Sequence, residues 1–232
     1  MPVLYLIPSF LSDNTLKKVI PDNVIKIITN LKQFVVEDIR SARRFISRVS
    51  PSLEINKLVF KELNEHSRED DFVSLSSYLL KNDTGLLSEV GMPCIADPGA
   101  ELVKIAHANG IKVVPLVGPS SILMALMASG FNGQSFSFVG YLPIKEKERK
   151  EALKVLEQRS LKEKQTQIFI ETPYRNISLL NDILKYCRPE TMLSIAADIT
   201  GKRELIISKS ISEWKNNLPN IHKIPTVFLL QA

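Results

Sequence analysis

The chain begins with an apolar run, VLYLIP (3–8), and a polar loop, then places apolar residues at 24, 27, 28 and 31 of NVIKIITNL (23–31). An unbroken run bounded by turn residues predicts a buried strand, and the spacing that follows it predicts an amphipathic helix. The alternation continues. QFVVEDIR (33–40) reads as a strand running into a charged tip, and SARRFISRV (41–49) as a helix capped by Ser41. KLVFKEL (57–63) is a strand, DDFVSLSSYLLKN (70–82) a helix and TGLLSEV (84–90) a strand. ELVKIAHANG (101–110) is a helix closing on Gly110, and KVVPLVG (112–118) is a fifth strand. Strands alternating with helices predict a mostly parallel sheet with helices on both faces.

Beyond Gly118 the rhythm changes. SSILMALMASG (120–130) is an apolar helix, SFSFVGYL (135–142) a strand and KEKERKEALKVLEQRSLKEK (145–164) a charged helix. QIFIET (167–172), LSIAADIT (193–200), RELIISKS (203–210) and PTVFLLQA (225–232) are further strands, with one helix, RNISLLNDILKYC (175–187), among them. More strands than helices predicts a mixed sheet with antiparallel pairs. The expectation is two α/β domains, 1–117 and 118–232.

Composition narrows this modestly. With 232 residues, 44% hydrophobic and 24% charged, the chain is an ordinary globular protein. Its net charge of +5 permits a polyanionic partner without requiring one. The two cysteines, Cys94 and Cys187, form no disulfide framework or zinc-spaced cluster, which suits a reducing, cytoplasmic setting. Proline and glycine interrupt the longest apolar region, 111–130, so no membrane span is expected. Neither G-x-G-x-x-G nor G-x-x-x-x-G-K-[ST] occurs, which disfavours nicotinamide and P-loop chemistry.

Three loops stand out: IPSFLSDN (7–14), SEVGMPCIADPG (88–99) and LVGPSS (116–121). Each follows a strand, so in a parallel sheet all three share the carboxyl edge, where ligands bind. Glycine permits close backbone approach and proline stiffens a loop. Ser120 and Ser121, at a helix start, could hold an anionic group.

The residues ADPG, followed by ELVKIAHANGIKVVPLVGPSS and GYLPIKEKERKEALK, resemble the tetrapyrrole methylase-like superfamily of S-adenosylmethionine-dependent methyltransferases. The nearest branch is the ribosomal RNA ribose 2′-O-methyltransferases that act on a cytidine of small-subunit RNA. LYLIP matches the first strand and VVEDIR the family's A-E-D-T-R; SEVGMPCIADPG matches S-D-A-G-T-P-x-I-x-D-P-G. IFIETPYR and IAADITGKRE match the F-Y-E-S-x-H-R and A-R-E-L-T-K-x-x-E regions. The first loop departs by lacking glycine, Glu89 replaces an aspartate, Met92 a threonine, and NEHS (64–67) keeps only His66 of two histidines.

The resemblance implies S-adenosyl-L-methionine as cofactor, held in a cleft between the two domains. Its amino-acid end would meet Pro8, Glu89, Gly91, Met92, Pro93, Ile95, Ser120 and Ser121, and its adenosyl end Glu171 and Ala197. It also implies RNA or a ribosomal subunit as partner, and a homodimer. A ribose hydroxyl needs a base. Glu37 or Asp38 could serve, or could pair structurally with Arg40 or Arg43; His66 is a further base candidate or a solvated histidine. Arg40, Lys145, Lys147 and Arg149 could meet phosphates, although Glu146, Glu148 and Glu151 interleave with the later three. Tyr174 and Arg175 could stack on a base, or pack at a domain seam. A methyltransferase for a tetrapyrrole or other small molecule, and a non-catalytic cofactor-binding homologue, are the alternatives.

Overall fold

The computed structural model describes residues 1–13, 15–64, 67 and 69–232, with the backbone alone for 69–72. The chain divides into two compact units, Met1–Ser120 and Ser121–Ala232.

The first unit alternates strand and helix: β1 (Val3–Ile7), α1 (Leu16–Val19), α2 (Asp22–Asn30), β2 (Gln33–Val36), α3 (Ile39–Val49), β3 (Val59–Glu62), α4 (Glu69–Leu79), β4 (Thr84–Leu87), α5 (Gly99–Ala108) and β5 (Lys112–Pro115). The strands form one all-parallel sheet in the order β3-β2-β4-β1-β5. Successive side chains leave a strand on opposite faces. Ile7, Phe34, Val36 and Leu87 therefore pack with α2 and α3, against Val24, Ile28, Phe45 and Ile46. Leu4, Val35 and Leu86 pack the other way, against Leu75, Leu79, Leu102 and Ala106 of α4 and α5. Both faces are covered, so β2 and β4 are buried at every residue.

One boundary differs from the sequence reading. The second strand stops at Val36 and α3 begins at Ile39, because Asp38 takes an extended conformation and its Oδ1 accepts the Ser41 N–H at 2.6 Å. Asp38 is the cap, and Ser41 is the residue it caps.

The second unit comprises α6 (Ser121–Ser129), β6 (Phe136–Tyr141), α7 (Glu146–Glu163), β7 (Thr166–Ile170), α8 (Asn176–Tyr186), β8 (Met192–Ala197), β9 (Leu205–Ser210), α9 (Ile211–Trp214) and β10 (Thr226–Gln231). Its sheet runs β6-β7-β10-β8-β9. β6 and β7 are parallel and the other pairs antiparallel, so the sheet is mixed. Leu153 and Leu156 of α7, Leu179 and Ile183 of α8, and Trp214 close a core over Phe169, Leu193, Ile195 and Phe228. Trp214 is 2% exposed and its Nε1 donates to the Leu193 carbonyl at 2.9 Å.

Candidate active site

The parallel order β4-β1-β5 brings the three unusual loops to one edge. They interlock there through backbone. The Ser9 N–H donates to the Gly91 carbonyl at 2.8 Å, and its Oγ to the Glu89 carbonyl at 3.3 Å. A Cβ placed on Gly118 would lie 2.2 Å from Pro8 Cβ, so the loops after β1 and β5 touch where only glycine fits.

The middle loop folds on itself. Gly91, Cys94 and Ala96 all have positive φ, at 76°, 68° and 60°. For Cys94 and Ala96 this costs on the order of 1–3 kcal/mol each, which the surroundings must offset. The Asp97 carboxylate does so by accepting from Cys94 N at 2.9 and 3.0 Å and from Gly99 N at 2.7 Å. Burial raises the Asp97 carboxyl above its usual range, while the bonds from Gly99 and Cys94 act to lower it. Burial and the neighbouring Asp97 push the Cys94 thiol up to about 11, which makes it inert rather than nucleophilic. Sequence reasoning placed Asp97 in a motif without giving it a role. An aspartate directly before Pro-Gly in a proline-rich turn was the available signal.

Around this cradle the exposed side chains are apolar: Val90, Ile95 and Val117 are 58%, 47% and 71% exposed. Met92 is half-buried, and Pro8, Gly91 and Pro93 are buried. Beside it stand carboxylates. Glu37, just past β2, accepts the Glu89 N–H at 3.2 Å, and Glu89 accepts from Ser41 Oγ at 3.3 Å. The structure thus gathers Glu37, Asp38, Glu89, Gly91 and Pro8 at one edge. It assigns Asp38 to capping: the backbone bond from Ser41 and then its hydroxyl hold the carboxyl below the ordinary range. A carboxylate so stabilised is a poorer proton acceptor. His66 lies outside the described residues. Ser120 closes the first unit and Ser121 opens α6.

In the second unit, register places Glu171 and Ala197 at one end of the sheet. Ile170 pairs with Val227 and Ala197 with Thr226, so both flank the start of β10. Arg175, named as a substrate contact, is held by Glu171: Nε and Nη2 donate to Oε1 at 3.0 and 2.7 Å. The other oxygen, Oε2, is buried and has no hydrogen-bond partner among the described residues. Tyr174 is exposed, with the Lys223 ammonium 5.5 Å from its ring centroid.

Arg149 is corrected outright. It is 5% exposed, its Nε donates to Asp182 Oδ2 at 2.6 Å, and Nη1 donates to the Ile144 carbonyl at 2.7 Å. A guanidinium spent on a buried partner cannot meet a phosphate. Lys145 and Lys147 are exposed, and Lys145 pairs with Glu148 at 3.4 Å. Among the described residues no cluster of potential ligands suits a metal, and no helix is long and apolar enough to cross a membrane.

Residues 24–214 match the family model of the tetrapyrrole (corrin/porphyrin) methylases. The chain belongs to this methylase family. Among its relatives is the ribosomal RNA small subunit methyltransferase I of Vibrio cholerae serotype O1, 32% identical over 91% of this chain and 70% of the relative. The protein of the same name from Halalkalibacterium halodurans is 35% identical over 82% of this chain and 62% of its own length. This methylase-family chain thus spans about two thirds of the relatives it matches. Its fold is similar to that of uroporphyrin-III C-methyltransferase from Thermus thermophilus, solved as a complex with S-adenosylhomocysteine. The TM-score is 0.54 at 15% identity, over 99% of this chain and 97% of that one.

Proposed function

We propose that this chain is an S-adenosylmethionine-dependent methyltransferase acting on a ribose 2′-hydroxyl of small-subunit ribosomal RNA. The observation that carries the reading is the interlocked cradle on the carboxyl edge of the parallel sheet, in a chain whose relatives are named for ribosomal RNA methylation.

The residues present fit the cofactor. A sulfonium nucleoside carries apolar surface, a positive centre and hydrogen-bonding ends. The cradle offers exposed Val90, Ile95 and Val117, backbone at Gly91 to Pro93, and the Glu37 and Glu89 carboxylates beside them. Within the second unit by itself, Glu171 Oε2 is a buried acceptor with no hydrogen-bond partner among the described residues. When bound, the cofactor supplies an activated methyl group and leaves as a neutral thioether. The protein has to align the acceptor oxygen with it, a proximity effect of several kcal/mol. In this reading Glu37, whose carboxylate accepts the Glu89 N–H beside the cradle, takes the hydroxyl proton, and Asp38 serves as helix cap. Two free cysteines suit a cytoplasmic setting, and exposed Leu123 and Met127 on α6 offer an apolar contact for a homodimer, which light scattering would test.

The test uses radiolabelled cofactor with small ribosomal subunits and, separately, with a free tetrapyrrole. Label should enter RNA and survive as an alkali-resistant dinucleotide, because a 2′-O-methyl group blocks alkaline cleavage. Label in the tetrapyrrole or on a base would overturn the substrate assignment. Absence of cofactor binding by calorimetry would overturn the activity itself.

A further inference from the structure

The helix that starts beside the cradle carries an unusual surface. α3, IRSARRFISRV, contains four arginines and no acidic residue. Its apolar positions Ala42, Phe45, Ile46 and Val49 are buried in the core. The arginines are therefore displayed on the other side. Arg40, Arg43 and Arg44 are exposed and form no ion pair among the described residues. Arg44 Nη2 donates to the Ser41 hydroxyl at 3.3 Å, and the Arg43 guanidinium rests 5.4 Å from the Phe60 ring centroid. The fourth, Arg48, is already paired with Asp13 at 2.5 Å.

These three arginines line an open concavity of ≈ 790 Å³ together with Asp38, Glu62 and Glu89. The formal charges of those six cancel, but their engagements differ. Asp38 caps Ser41 N at 2.6 Å, Glu62 accepts Ile39 N at 3.4 Å, and Glu89 accepts Ser41 Oγ at 3.3 Å. The carboxylates are thus held against the first turn of α3, where they also answer the helix dipole, and Asp38 acts electrostatically on Arg40 and Arg44. The positive end of the helix is taken, and an incoming anion must be met by the guanidinium groups. Glu89 belongs both to this concavity and to the loop of the cradle, so the two are contiguous.

The basic stretch of α7 is built differently. Lys145 pairs with Glu148, Lys154 with Glu151, Glu146 is taken by Lys185, and Arg149 is buried. That surface is largely paired within itself, with exposed Lys147 outside these pairs.

Resting on the proposed RNA methylation, we propose that Arg40, Arg43 and Arg44 on α3 are the phosphate-docking surface for the RNA strand whose ribose is presented to the cradle. Neighbours three or four apart on a helix lie on one side, so the three guanidinium groups present one row to a phosphodiester chain. Arginine suits this because its planar fork meets phosphate oxygens in pairs.

The experiment measures binding of the full chain to a fluorescent single-stranded ribosomal RNA oligonucleotide over a salt series, with calorimetry of S-adenosylmethionine binding alongside. Each phosphate contact contributes about −0.7 to the slope of log affinity against log salt for a single strand. The variant R40Q/R43Q/R44Q should flatten the slope by about 2, about a 20-fold smaller loss of affinity over a fourfold rise in salt. R40K/R43K/R44K should restore most of the slope, K154Q/K162Q on α7 should leave it unchanged, and cofactor binding should be equal in all. An unchanged slope in the glutamine variant, with wild-type protein binding RNA, overturns the docking surface alone. Wild-type protein that binds cofactor but no RNA overturns both the surface and the RNA substrate. Wild-type protein that binds anionic phospholipid vesicles in preference to RNA assigns the arginines to a membrane surface and overturns the proposal.

Discussion

The buried Arg149–Asp182 pair gives the sharpest test of how the second unit is held together. Arg149→Met keeps an unbranched apolar stem and removes the charged guanidinium. The change strips Asp182, itself nearly buried, of the guanidinium that donates to it from Nε and pairs with it through Nη2, and it frees the Ser178 hydroxyl and the Ile144 carbonyl from Nη2 and Nη1. Breaking a buried pair from one side costs about 3–5 kcal/mol, because the remaining charge stays buried without compensation. With a urea dependence of about 2 kcal/mol per molar, the unfolding midpoint should fall by about 2 M. Trp214 is the single tryptophan and lies in the core of this unit, so its fluorescence reports on this unit alone. The paired change R149M/D182L removes both charges and should recover most of the loss. If R149M unfolds at the wild-type urea concentration, or loses RNA affinity while keeping its stability, the structural assignment of Arg149 is wrong.

Gly118→Ala would set a methyl group 2.2 Å from Pro8; the loops must part, at about 1–3 kcal/mol, and calorimetry should show weakened cofactor binding with α/β circular dichroism retained. Asp38→Asn should keep both the cap and methyl transfer, whereas Asp38→Ala should lose about 1 kcal/mol of stability; an inactive but stable Asp38→Asn would make this residue the base after all. Because the Asp38 carboxyl is lowered in the folded state, its contribution is present above the unfolded value and is lost as pH falls through the lower folded value. Wild-type protein should therefore lose this increment only in acid, and Asp38→Asn should show no such loss in a pH series of thermal melts. With its thiol at about 11, Cys94 should alkylate roughly 100-fold more slowly than an unperturbed cysteine near neutral pH, as mass spectrometry of iodoacetamide-treated protein would record.

Much of the fold was legible because hydrophobic period is a local property. QFVV and TGLL are short apolar runs between helical patterns, and both are strands buried on two faces. The meeting of three loops on one edge followed from parallel order alone. Local pattern failed where the deciding partner was remote or ambiguous. Asp38 read as the tip of a strand because an acid pair after valines carries no period, and only its bond to Ser41 reveals the helix start. Arg149 sat in a charged run and looked solvated. Its partner Asp182 lies on α8, at a separation that no spacing rule covers. The Glu171–Arg175 pair, four residues apart, was within reach of a spacing argument, although the intervening turn made helical pairing an unsafe inference there.

The position of β10 has a consequence for how the second unit comes into being. This strand is made after every other strand of its sheet, yet it lies between β7 and β8. Until Thr226–Gln231 leaves the ribosome, the earlier strands can form only a β6-β7 pair and a β8-β9 hairpin, two separate edges with nothing to join them. Assembly of this half is thus gated by translation of its final strand. A premature stop a few codons before Thr226 would release a chain with both unpaired edges exposed, a substrate for proteolysis rather than a weakened enzyme.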